Sequence, residues 1–228
     1  GRYPVLATLF KPFRRRQQKT LALAAAAIAE AGEASSLSIA QHLAAKTGVK
    51  TASALRRLYR LLANPRIDDR RLTGALLRVL GRGRRRLLVA VDWTEWGEDL
   101  RLLVASVAVG RRALPVQTAA LRPSAIRDSQ NAFEDAFLRR LIRHVRTVGA
   151  EAVLLADRGF RRASLVRLLT DLRQPFVVRL AANASVHPRG GPTVVLRRAT
   201  LGPGRAVDFG WVELTRSNPV AVRVVGVW

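Results

Sequence analysis

The spacing of hydrophobic residues divides the chain into three regions. Up to about residue 80, apolar positions recur at intervals of three and four, the period of a helix with one buried face. From Leu87 this period gives way to short apolar runs bounded by glycine, proline and charged residues, which is typical of strands. Beyond Leu180, Gly- and Pro-rich turns separate short β-rich runs. We therefore predict domains at 1–82, 83–180 and 181–228.

The first region predicts helices separated by short turns. A helix over 21–31 is followed by Gly32, and a helix over 71–80 by Gly81. Between them, residues 36–64 form a helix, turn, helix pattern that ends at Asn64-Pro65.

The second helix of this pair is basic outside its apolar stripe. Its predicted stripe consists of Leu55, Leu58, Leu61 and Leu62, whereas Arg56, Arg57 and Arg60 point elsewhere. A helix of this type can enter a DNA major groove with its arginines toward phosphates and base edges. A plain helical hairpin with a solvated basic face explains the pattern equally well.

The second region predicts an α/β sheet. The order is three strands, a helix, a strand, a helix and a strand, over 87–93, 100–109, 113–121, 128–148, 152–156, 164–173 and 176–180. The tetrapeptide WGED is the expected turn between the first two strands. Because the last two strands are apolar and linked through a helix, we predict right-handed parallel crossovers in a covered sheet. The β-rich runs at 193–196, 209–214 and 220–228 predict a separate antiparallel piece.

Two of the predicted strands carry a carboxylate. Asp92 interrupts the apolar run LLVAVDWTEW, and Asp157 ends the strand of AVLLADRGF. A buried carboxylate is costly unless a cation, a metal or hydrogen bonds compensate it. Each acid alone is explained as well by a cap, Asp92 on a turn and Asp157 on the following helix. Two acids at strand ends favour a site for Mg²⁺ or Mn²⁺, in which two ions act on a phosphodiester.

The composition of the chain indicates the kind of partner it binds and excludes several types of chemistry. The chain has 40 Lys and Arg against 16 Asp and Glu, a net charge of +24, and nearly all of the cations are arginine. This excess favours a polyanionic partner, although an arginine-rich, GC-biased genome would also raise it. The absence of cysteine excludes disulfides, thiolate zinc sites and cysteine nucleophiles, and suggests an intracellular protein. Residues 14–35 have the composition of a secretory signal, but the apolar run at 21–29 is too short to span a bilayer.

Five segments follow one another along the chain: KTASALRRLYRLLANPRIDD, VAVDWTEW, RALPVQT, LLADRGF and PFVVRL. In this order they resemble DDE transposases of bacterial insertion sequences, above all the insertion sequence four family. The likeness covers essentially the whole chain. The resemblance implies a ribonuclease-H-like mixed sheet with flanking helices. An all-α DNA-binding region would precede this core, and the start of a β-rich insertion would follow it.

The resemblance also implies roles for individual residues. Asp92 and Asp157 match the first two metal-binding acids, and Thr94 matches a position that orients a ligand or phosphate. Arg158 and Arg179 are expected phosphate contacts, together with the arginines of the predicted DNA-binding helix. The family's third acid lies in a Tyr-x2-Arg-x3-Glu-x6-Lys signature that has no match here. Glu213 lies in a strand pattern instead and does not match it. We therefore expect a fragment that is truncated before the glutamate of the signature.

The expected function is DNA transposition. The enzyme would bind the terminal repeats of its element, cleave phosphodiester bonds with Mg²⁺ or Mn²⁺ and join the freed 3′-hydroxyl to target DNA. The implied partners are double-stranded DNA and a second copy in a synaptic homodimer, in the bacterial cytoplasm at the nucleoid and without a membrane. The alternatives are another ribonuclease-H-like nuclease, such as a junction resolvase, and a catalytically dead DNA-binding fragment.

Overall fold

The computed structural model describes residues 4–125, 129–198, 203–217 and 219–227. Contacts divide the chain into two units. The first is Gly1–Arg84 with His144–Gly149, and the second is Arg85–Arg143 with Ala150–Trp228. The first unit is helical and the second contains both sheets, so the protein is mixed α/β. The three domain ranges expected from the sequence stay predictions.

The helices of residues 4–84 follow the predicted order, with one helix added at the start. They are α1 (Pro4–Phe10), α2 (Arg15–Ala31), α3 (Ser36–Thr47), α4 (Thr51–Leu62) and α5 (Asp69–Gly81). The basic residues before the alanine-rich run belong to α2, which begins at Arg15 rather than at residue 21. Gly32 and Gly48 both have φ of 70°, the left-handed conformation that favours glycine. Their N–H groups donate to the carbonyls of Ile28 and Ala44, and so end α2 and α3.

Small side chains allow α2, α3 and α4 to pack closely. The buried cluster comprises Ala24, Ala27, Ile39, Ala40, Leu43, Ala54 and Leu58. In α4 the buried positions are Ala54, Leu58 and Leu61, spaced by four and three residues. Leu62, predicted to share this stripe, is instead 68% exposed, because Ala54 rather than Leu62 completes the inward face.

The first sheet of the second unit has five strands in the order β3-β2-β1-β4-β5. They are β1 (Arg86–Trp96), β2 (Leu100–Val109), β3 (Arg112–Leu121), β4 (Glu151–Ala156) and β5 (Phe176–Val178). Strands β1 to β3 are antiparallel neighbours, whereas β4 is parallel to both β1 and β5. Helix α6 (Gln130–Thr147) connects β3 to β4, and α7 (Ala163–Asp171) connects β4 to β5. The predicted parallel pairing of the last two strands, linked through a helix, is confirmed.

The two faces of this sheet are unequally buried. Val89, Val91 and Leu103 on one face are almost completely buried. On the opposite face, Leu88 is 47% exposed and Val177 is 60% exposed. The expectation of a fully covered sheet is therefore wrong for the part of the chain that the structure describes. Apolar character in both faces of a strand does not specify what packs on each.

The second sheet is antiparallel, as predicted, with the order β7-β6-β8-β9. Its strands are β6 (Ser185–Pro188), β7 (Val194–Val195), β8 (Ala206–Glu213) and β9 (Ala221–Val227). Val186, Val212 and Val224 form its core. The predicted helix start at Asp128 and strand end at Trp228 lie outside the described residues. Among the described helices, none combines the length and apolar character that a bilayer span requires.

Candidate metal centre and nucleic-acid interface

Asp92 and Asp157 lie at equivalent positions on adjacent parallel strands. The last paired residues of β1 and β4 are Val91 and Ala156, so each acid is the next residue along its strand. Both carboxylates are exposed. Asp92 lies within β1, which continues to Trp96 in its pairing with β2, whereas Asp157 lies just beyond the end of β4. Because the two strands are parallel, the two acids lie side by side where the pairing of β1 with β4 ends.

Each acid also accepts a local backbone hydrogen bond. Asp92 Oδ1 accepts from the N–H of Trp93 at 2.8 Å, and Asp157 Oδ1 accepts from the N–H of Gly159 at 2.8 Å. Asp157 thus caps a short 3₁₀ helix (Arg158–Phe160). It does not cap the longer helix that was predicted to follow it, because α7 begins after Arg162. A Cβ at position 159 would lie 3.0 Å from Asp157 Oδ1, so the glycine of Asp-Arg-Gly-Phe makes room for the cap.

The chemistry of these acids fits a hard divalent cation, but only as part of its ligand set. Mg²⁺ takes about six oxygen ligands and usually retains several waters. The described residues contain no group of three or more Asp, Glu, His or Cys side chains that could hold a metal. Glu213 lies on β8 in the second sheet, 3.9 Å from Arg189, and Thr94 lies exposed on β1. Asp92 and Asp157 could therefore provide two carboxylate ligands, with water or phosphate oxygens supplying the rest.

Arg158 and Arg179 lie in segments next to the same strand end. Arg158 follows Asp157 directly, and its side chain is exposed. Arg179 follows β5, and its N–H donates to the carbonyl of Ala156 at 3.0 Å, which places its backbone beside the residue before Asp157. Its side chain is also exposed. Exposed guanidinium groups next to two carboxylates are suited to hold a phosphate whose oxygens also bind a metal.

The three arginines predicted to contact DNA occupy different environments on α4. Arg56 and Arg60 are exposed. The guanidinium of Arg57 instead donates to Thr20 Oγ1 from Nε at 3.1 Å and from Nη2 at 2.8 Å. Because Thr20 is a buried residue of α2, Arg57 connects α4 to α2.

Sequence reasoning missed Glu134, a buried acid on α6. It is only 2% exposed and accepts a hydrogen bond from the indole N–H of Trp93, the residue after Asp92. The chain carried a signal for it, because Glu134 precedes buried Phe137, Leu138 and Leu141 by three, four and seven residues. A carboxylate in the apolar face of an amphipathic helix requires a partner.

The fold class is thus a mixed α/β protein whose first sheet brings two acids together. No protein-family model matches the chain, and a comparison with curated proteins found no match.

Proposed function

We propose that this protein is a DDE-type DNA transposase with a ribonuclease-H-like core, similar to the insertion sequence four family. The observation that carries the proposal is the pair Asp92 and Asp157, each of which directly follows the last paired residue of parallel strands β1 and β4. The sheet also supports it, since three antiparallel strands are followed by two parallel strands reached through helices. The resemblance implies a sheet with this succession of strands.

In the proposed reaction, Asp92 and Asp157 would hold Mg²⁺ or Mn²⁺ at the edge of the sheet. The metal would activate water or a 3′-hydroxyl for attack on phosphorus and stabilise the leaving oxygen. Arg158 and Arg179 would neutralise and orient the scissile phosphate. The cap from Gly159 to Asp157 restrains one carboxylate oxygen and so restricts how that carboxylate can turn.

DNA binding is proposed for the exposed basic face of α4. Arg56 and Arg60 are free to approach phosphates or guanine edges, in accord with the helix-turn-helix interpretation of α3 and α4. Arg57 remains a predicted DNA contact, although in this structure its guanidinium bonds Thr20. Binding would be to double-stranded DNA, with a homodimer in the synaptic complex.

The test is metal-dependent nicking of supercoiled DNA by the chain and its Asp92→Asn and Asp157→Asn variants. We expect each variant to fall to the level seen with EDTA, because each loses a charged metal ligand. Asp99→Asn, which removes an exposed acid from the turn between β1 and β2, is the matched control and should behave as the parent chain. Nicking that survives both substitutions would show that these acids do not hold the catalytic metal.

A second candidate function is DNA binding without catalysis. The absence of a group of three metal-binding side chains among the described residues favours it, because two carboxylates alone hold a metal pair poorly. This candidate predicts salt-sensitive DNA binding in which Mg²⁺ produces no nicks. Competition between linear repeats and branched DNA would separate a transposase from a junction resolvase, which would prefer the branched form.

A further inference from the structure

Glu134 is the centre of a buried hydrogen-bonding network in the second unit. Its Oε1 accepts from Trp93 Nε1 at 2.8 Å and from Gln130 Nε2 at 3.0 Å. Its Oε2 lies 3.4 Å from Nη2 of Arg162. The ring of Trp93 also packs on Phe133, with centroids 6.0 Å apart. The network therefore joins α6 both to β1 and to the segment after β4.

Arg162 is held at this point by several acceptors. Its Nη2 donates to Asp135 Oδ1 at 2.5 Å and to the carbonyl of Asn131 at 3.1 Å, both on α6. Its Nη1 donates to Ser164 Oγ at 2.9 Å. Arg162 is the residue immediately before α7, so these bonds attach the start of α7 to α6.

The two ends of the network lie close in sequence to the two candidate metal ligands. Trp93 directly follows Asp92, and its backbone N–H donates to the Asp92 carboxylate. Arg162 follows Asp157 after the short 3₁₀ helix that Asp157 caps. Glu134 thus bonds with one residue in each of the two segments that carry the acids.

We infer that Glu134 is a positioning residue that holds Asp92 and Asp157 at the separation needed to share a metal. This role rests on the proposed function. Glu134 acts through Trp93 and Arg162 rather than as a ligand, because an indole N–H, an amide N–H and a guanidinium already occupy its oxygens. Arg162 is the cationic partner that compensates this buried carboxylate, and the two neutral donors fix its orientation.

Titration of the whole chain with MnCl₂, followed by the electron paramagnetic resonance signal of free Mn²⁺, tests this role. We expect Glu134→Ala and Trp93→Phe each to weaken Mn²⁺ binding about tenfold, the usual effect of losing a group that orients a metal ligand. Glu134→Gln should bind within about twofold of the parent chain, because its amide oxygen still accepts from the indole of Trp93. Thermal unfolding of each variant shows that it is folded.

The control is Glu151→Gln. Glu151 pairs with Arg86 across the same two strands, at their opposite end, so losing this ion pair should leave Mn²⁺ affinity unchanged. Parent-like Mn²⁺ affinity in a folded Trp93→Phe variant would overturn the positioning role, and this variant decides the matter if Glu134→Ala does not fold. If the positioning role is overturned in this way but Asp92→Asn still loses Mn²⁺ binding, the proposed metal site stands. Parent-like affinity in Asp92→Asn would instead overturn the site itself.

Discussion

Arg56, Arg57 and Arg60 show how adjacent residues of one type differ in role. All three belong to α4, yet only Arg57 bonds to another helix, through the buried Thr20. Its hydrogen bonds replace contacts with water, and a hydrogen bond to a charged group contributes roughly 1.5–3 kcal/mol. Arg56 and Arg60 are exposed, and their charge is available to a phosphate.

The double substitution Arg56→Ala with Arg60→Ala should weaken DNA binding without lowering stability. Each lost phosphate contact should reduce the slope of log K against log salt by about 1, so we expect a decrease of about 2. Fluorescence anisotropy over a salt series measures this slope. Arg111→Ala with Arg112→Ala, which removes two exposed arginines where β2 turns into β3, is the charge-matched control for a non-local effect.

Arg57→Ala tests the same helix for a structural role. We expect it to lower the free energy of unfolding by about 1.5 kcal/mol, because the contact with Thr20 is lost. Urea denaturation measures the change. Unaltered stability combined with a reduced salt slope would show that Arg57 contacts DNA instead, as the sequence-based prediction holds.

At the scale of elements, the first sheet of the second unit has one face whose side chains are packed in the core and one whose side chains are partly exposed. Val89 is completely buried and lies next to the half-exposed Leu88 in β1. Strand geometry places the two side chains on opposite faces, so adjacent substitutions report separately on each face.

Val89→Ala should cost about 2 kcal/mol of stability, because it removes two methyl groups and leaves a cavity in close-packed surroundings. Leu88→Ala removes a larger side chain but should cost less than about 1 kcal/mol, since much of its surface is already in water. Urea unfolding of the two variants gives the comparison. Equal costs would mean that the face carrying Leu88 is covered in solution.

The ion pair between Asp208 and Arg223 gives the second sheet a pH dependence. The hydrogen bond from Arg223 lowers the pKa of Asp208, assisted by the N–H of Gly210. A carboxyl with a lowered pKa stabilises the fold above its unfolded pKa of about 3.9, and this contribution is lost as pH falls through the folded pKa. Asp208→Asn should therefore melt below the parent chain at pH 7, and the difference should shrink as the pH falls below about 3.9 and the carboxylate becomes protonated. A difference that persists in acid would show that the charge of Asp208 is not its cause.

At the scale of the whole molecule, the charge of +24 has two explanations that salt separates. If the arginines serve a polyanion, binding to duplex DNA should fall about 10³–10⁵-fold between 50 and 200 mM salt, as for a protein with 6–10 phosphate contacts. If the charge only reflects a GC-biased genome, weak binding with a shallow slope is expected. Anisotropy measurements with a DNA of unrelated sequence distinguish the two.

Much of the secondary structure could be predicted because its signals are local. The three- and four-residue spacing of leucines and alanines places α3 and α4, and short apolar runs place β1 to β4, each within a few residues of the observed bounds. Errors occur where local patterns are ambiguous. Leu62 fits an apolar stripe as well as Ala54 does, and only the packing of α4 on α2 and α3 selects Ala54.

The candidate site could be predicted only in part. Asp92 and Asp157 attract notice because each is a carboxylate in an otherwise apolar strand, and this signal lies within a few residues. Glu134 was missed, since its importance depends on Trp93 and Arg162, which are 41 and 28 residues away in the sequence. Metal binding by Asp92 and Asp157 stays a prediction, and so does DNA binding by the arginines of α4 and by Arg158 and Arg179.

By itself, the sequence determined most of the helices and strands, though not α1 or β6, together with the positive charge and the two acids in apolar runs. These features could be predicted because periodicity and composition act over a few residues. Only the tertiary structure decided that β4 lies beside β1, that Arg57 bonds Thr20, that Glu134 joins two segments and that one sheet face is open. These features depend on contacts between residues far apart in the chain. Such contacts form where buried surfaces and hydrogen-bonding groups match in three dimensions, and no local pattern records that match.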